Sequence, residues 1–156
     1  MTWLEALGTV ATSFGVSLGA SLLPVGGAVE VYILATSALL PIGFVGPLVL
    51  AVAAGSVAAK TLVYLGASRA TKMTGMTEGG RGAKIIARFE KGPWMRRGAI
   101  LLSATVSVPP FYAVSVAAGL IRAPLVEFMV VSMVGQSVRF GLVWAVPQIA
   151  QGLASG

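Results

Sequence analysis

Apolar residues run almost unbroken through four stretches, roughly Trp3 to Leu40, Phe44 to Ser68, Gly98 to Ile121 and Pro124 to Ala150, and the polar positions concentrate between them in residues 69 to 97. About 20 apolar residues cross a ~30 Å hydrocarbon core, so 44 to 68 and 124 to 150 each predict one tilted membrane-crossing helix. The other two stretches are interrupted. Pro109-Pro110 leaves two arms of eleven residues in 98 to 121, each roughly 16 Å long as helix and able to reach about halfway across. That pattern predicts a re-entrant helical hairpin with its tip at the two prolines. Pro24-Val25-Gly26-Gly27 breaks the first stretch in the same way and predicts a second tip. A helix over residues 3 to 23 that spans outright, or a five- or six-span bundle with proline kinks, is the alternative.

The two halves superimpose weakly. Placing Pro24 on Pro109 and Gly55 on Gly135 sets Leu62-Val63-Tyr64 on Leu142-Val143-Trp144, brings Lys60 beside Arg139, and leaves Gly46-Pro47-Leu48-Val49 resembling Ala123-Pro124-Leu125-Val126 after a short gap. The expected architecture is an all-α polytopic membrane protein of two inverted repeats, each a re-entrant hairpin plus a transmembrane helix. The first repeat covers residues 1 to 68, a basic loop 69 to 97, and the second repeat 98 to 156. Inverted repeats whose discontinuous helices meet near the midplane are a transporter architecture.

Composition narrows the chemistry. The 156 residues are 56% hydrophobic and 10% charged, with a mean hydropathy of +0.90 and no His, Cys, Asp or Asn. No Ser-His-Asp or Cys-His nucleophile and no thiolate or imidazole metal site can be assembled, so neither an enzyme nor a cofactor is expected. The five acids, Glu5, Glu30, Glu78, Glu90 and Glu127, are far apart in sequence. The net charge of +6 comes mainly from eight cations between Arg69 and Arg97. A basic loop between apolar spans predicts a cytoplasmic loop in a multi-pass inner-membrane protein rather than a nucleic-acid partner. The start Met1-Thr2-Trp3-Leu4-Glu5 lacks the basic flank of a signal peptide. Within the loop, Ile85, Ile86 and Phe89 recur at helical spacing among Lys84, Arg88 and Lys91, as in a basic amphipathic segment for an anionic membrane surface or a solvated loop helix.

Five charges fall within or beside the apolar stretches: Glu30, Lys60, Arg122, Glu127 and Arg139. A charge at the bilayer centre costs at least about 2.5–3.5 kcal/mol on insertion scales, so each requires a reason. Arg122 and Glu127 flank Pro124 and can snorkel or pair at the interface. Lys60 and Arg139 lie roughly 23 Å along their helices, still in hydrocarbon. Glu30 closely follows the first tip. The trio is either a buried ion pair that fixes helix register or a site for an anionic group, built from Glu30, Lys60 and Arg139 with the tips Pro24, Gly26, Gly27, Pro109 and Pro110. Small residues four apart, Gly15 to Gly19, Ala51 to Gly55 to Ala59, and Ser137 to Gly141, allow close helix approach inside the chain or in a homo-oligomer. Trp3, Trp94, Trp144 and Tyr112 are interfacial-belt candidates.

Ser21-Leu22-Leu23-Pro24-Val25-Gly26-Gly27-Ala28-Val29-Glu30-Val31 is similar to the Leu-Pro-Gly-x-x-Glu tip of the DedA/VTT (SNARE-associated) membrane protein superfamily, in particular its short YqaA-like branch. Lys91-Gly92-Pro93-Trp94, the prolines 109 and 110, Ala117-Ala118-Gly119-Leu120, Phe128 and Gly135-Gln136-Ser137-Val138-Arg139-Phe140 continue the likeness over about residues 15 to 147. The resemblance implies two re-entrant hairpins in inverted repeats and movement of lipids or polyprenyl phosphate between leaflets, with proton coupling through hairpin acids. By position it makes Glu30 the tip acid and Arg139 the basic residue of the last span. The arginines typical of the second hairpin are absent from Thr105 to Tyr112, as is a second acid after the tip. The expected activity is transport of a lipid or lipid-linked phosphate, with membrane lipids as partners. A non-transporting assembly or structural protein and a small-ion or drug exporter are the competing classes.

Overall fold

The structure, a computed structural model, describes residues 2–23, 27–70, 84, 86, 87, 89 and 91–154. Among the described residues it is all-helical: α1 (Trp3–Leu22), α2 (Ala28–Ser37), a 3-10 turn (Ile42–Phe44), α3 (Val45–Arg69), α4 (Pro93–Val106), α5 (Phe111–Leu120) and α6 (Leu125–Ala154). The expected tip residues Pro24 and Gly26 and most of the basic loop lie outside the described residues. The chain divides into two compact units, Met1–Ser56 with Gln136–Gly156, and Val57–Gly135. Both unit boundaries fall inside helices, so α3 and α6 each contribute residues to either unit.

In the first unit α1 starts at a capping box. Thr2 Oγ1 accepts from the Glu5 N–H at 3.3 Å, and Glu5 Oε2 accepts from the Thr2 N–H at 2.7 Å, satisfying two otherwise free backbone donors. Its buried face is a column of serines. Ser17 Oγ donates to the Val52 carbonyl at 2.7 Å, and Ser21 Oγ donates to Ser56 Oγ at 3.2 Å. Gly55 makes this closeness feasible, because a Cβ there would overlap the Phe14 carbonyl and meet Ser17 Cβ at 3.0 Å. Both contacts span 35 residues, so α1 and α3 advance in the same direction. The helix α2 packs on α1 and returns the chain to the end where α3 begins. Ser56 is the twelfth residue of the 25-residue α3, so the break between α1 and α2 falls opposite the middle of α3.

The second unit is held by close contacts of its own. Gly92 at φ 137° and Pro93 at the first helical position start α4 five residues before the apolar stretch begins at Gly98, which brings Arg96 and Arg97 into the helix. Both arginines bind Glu127, in the first turn of α6, and Ala104 lies 2.6 Å from where a Cβ on Gly135 would sit. From 96 to 127 and from 104 to 135 the offset is 31 residues, so α4 and α6 also run in the same direction. The return arm α5 ends beside α3, with Gly119 against the Tyr64 carbonyl and Ala67. Phe128 stacks on Tyr64 at 5.2 Å between ring centroids and on Phe111 at 6.2 Å. Phe89, 1% exposed, joins the same core, so this apolar residue of the basic segment is buried within the unit.

Among the described residues two helices, Ile42–Arg69 and Leu125–Ile149, are long and apolar enough to cross a membrane. The outward face of α6 carries Val126, Val130, Val134, Val138, Leu142, Val146, Ile149 and Leu153, all exposed. That unbroken apolar stripe extends about 40 Å along the helix, where a helix facing water carries polar residues.

Candidate functional site

The longest-range ion pair among the described residues joins α2 to α6. Arg139 Nη2 donates to Glu30 Oε1, with 23% and 20% of the two side chains exposed. Two elements position it. Gly27 caps α2 at φ 94°, a backbone region that favours glycine, and so starts the helix three residues before Glu30. Arg139 is the fifteenth of the 30 residues in α6, so the pair lies beside the middle of a membrane-length helix. Nearby in the same unit Ser13 and Tyr32 share a hydrogen bond of 2.8 Å between hydroxyls. Arg139 carries five N–H donors in a planar fork, a geometry that fits phosphate as well as carboxylate.

Lys60 belongs to the second unit. It is buried, 8% exposed, and its Nζ lies 5.4 Å from the centre of the Tyr112 ring, within cation–π range. The prolines lie between α4 and α5: the Val108–Pro109 bond is cis, the Pro109 carbonyl accepts from Ser103 Oγ at 2.7 Å, and Pro110 precedes the first turn of α5. Thus the structure joins Glu30 to Arg139 and places Lys60 with the Pro110 end of α5. Tyr112 enters the site from the belt candidates. Its signal was its position, two residues after Pro110, which mirrors Glu30 three residues after Gly27.

At the far end of the second unit, Glu127 Oε1 accepts from Arg96 Nε at 2.8 Å and Oε2 from Arg97 Nε at 3.0 Å. Arg122, the partner nearer in sequence, is exposed and closes the turn before α6 at φ 50°. Of the small-residue stripes, Ala51 to Gly55 to Ala59 is packed, whereas a Cβ on Gly15, Gly19 or Gly141 would meet nothing within 4 Å. Compared with family models, curated proteins and solved structures, the chain finds no match.

Proposed function

We propose that this chain is an integral membrane protein of the DedA/VTT type that moves a lipid or lipid-linked phosphate between leaflets, with the Glu30–Arg139 pair as its head-group site. The observation that carries this reading is a partly exposed ion pair midway along an apolar helix. An ion pair is a poor stabiliser in such a place, but it is well suited to exchange. A head-group phosphate that displaces Glu30 keeps the guanidinium compensated, so transfer never leaves Arg139 alone in hydrocarbon.

A likeness between the close contacts of the two halves supports the same reading. Gly55 on α3 meets the first arm of one helix–break–helix, and Gly135 on α6 meets the first arm of the other. Beyond each glycine a cation, Lys60 or Arg139, touches the first turn of a second arm, at Tyr112 or Glu30. Each second arm has ten residues, about 15 Å, so α2 and α5 are re-entrant in this reading. Residues 69 to 97 face the cytoplasm.

The test is lipid equilibration in proteoliposomes of the full chain with head-group-labelled phospholipid. Wild-type protein should move label between leaflets, and Glu30→Gln and Arg139→Gln should fall to the rate of empty vesicles. Wild-type vesicles indistinguishable from empty ones would sink the transport reading. Full activity in both variants would make the pair structural.

A further inference from the structure

We propose that the open end of the α4–α5 pair is a binding cleft for an anionic phospholipid, separate from the Glu30–Arg139 site. The cleft has a volume of about 540 Å³ and is lined by the half-buried apolar Ile86, Leu120 and Ile121, the buried Phe89, and Gly92, Pro93 and Arg96. That size suits a head group with the first part of an acyl chain. Among the described residues, two cations, Arg96 and Arg97, share the one carboxylate of Glu127. Arg96 spends its Nε on that carboxylate, and its terminal Nη groups bond no other described residue. They are the donors a phosphodiester would take.

The surroundings favour a lipid over free phosphate. Trp94, 81% exposed, lies 5.4 Å from the Arg97 guanidinium, an amphipathic ring of the kind enriched at membrane interfaces. Val126, adjacent to Glu127, begins the exposed apolar stripe of α6. The arginines therefore stand at the edge of the apolar band, at head-group level. Inorganic phosphate would satisfy the guanidinium and leave the apolar lining of Ile86, Leu120 and Ile121 uncovered.

This inference rests on the membrane location proposed above but uses none of the transport residues. The experiment is native mass spectrometry of the detergent-purified full chain with phosphatidylglycerol and phosphatidylcholine of matched acyl chains. Wild-type protein should retain one phosphatidylglycerol, preferred about tenfold, as one charge-assisted contact implies. Leu120→Trp, which fills the cleft and leaves the Arg96–Glu127–Arg97 cluster in place, and Arg96→Gln should each lose that preference. Glu30→Gln should retain it. Equal retention of both lipids by the wild type, an unchanged adduct in both cleft variants, displacement by inorganic phosphate, or loss of the adduct in Glu30→Gln would overturn the proposal. Absent lipid transport with a retained adduct would count against the transport reading alone.

Discussion

Glu30 and Arg139, 109 residues apart in the chain, form one ion pair between the first turn of α2 and the midpoint of α6. Removing one partner of a fully buried pair costs about 3–5 kcal/mol, because the remaining charge is uncompensated. Here both side chains are about a fifth exposed, so Glu30→Gln or Arg139→Gln should each cost about 1–3 kcal/mol, discounted for that access. The double variant Glu30→Gln/Arg139→Gln should recover most of the loss. Thermal unfolding of the four proteins in one detergent measures the coupling, and strictly additive losses would mean the two groups do not interact.

Gly55 makes a sharper stability prediction. Its absent Cβ is what lets the Phe14 carbonyl and Ser17 approach α3, so Gly55→Ala should destabilise by about 1–3 kcal/mol, the range for overpacking. Gly135→Ala, against Ala104, should behave alike. The control is Gly141→Ala, which meets nothing and should gain about 0.5–1 kcal/mol from helix propensity. An equal effect at all three positions would remove the close-packing argument.

In the second unit Phe128, fully buried, stacks on both Tyr64 and Phe111. Phe128→Ala should cost about 3–5 kcal/mol. Tyr64→Phe keeps the stacked ring and removes only the hydroxyl that donates to the Ala123 carbonyl, so its loss should be about 1 kcal/mol. The same melting assay ranks them. A larger loss from Tyr64→Phe would make the hydroxyl, not the aromatic cluster, the main support of this end.

How much of this was legible in the sequence depends on the physical range of each signal. Charges within apolar runs are conspicuous because hydrocarbon penalises them, so Glu30, Lys60 and Arg139 stand out, as do the proline and glycine breaks that end α4 and precede α2. Gly55 and Gly135, which local likeness aligns, are both closely packed against another helix. The partners were not legible. Glu127 binds Arg96 and Arg97 rather than the nearer Arg122 because the 31-residue offset exists only once α4 and α5 have folded back on each other. The apolar pattern also starts α4 too late. Gly92 and Pro93 are helix-start signals, but the two arginines that follow read as loop when hydropathy alone sets the boundary.

Labelling on either side of α1 separates the two topologies that the first apolar stretch permits. The register of Ser17 with Val52 and Ser21 with Ser56 makes α1 and α3 parallel, and α2 then carries the chain back before α3 starts. If α1 and α2 enter and leave by one face of the bilayer, Thr2 and Leu39, the latter 76% exposed, lie on the same side. The chain has no cysteine, so single substitutions Thr2→Cys, Leu39→Cys and Thr77→Cys report one position each. In intact cells a membrane-impermeant maleimide should label the first two, and Thr77→Cys, in the basic loop, only after lysis. Were α1 to span instead, Thr2→Cys would join Thr77→Cys on the protected side while Leu39→Cys stayed reactive. Protection of Thr2 and Leu39 together, with Thr77 reactive from outside, would keep the hairpin and invert the whole chain against its basic loop.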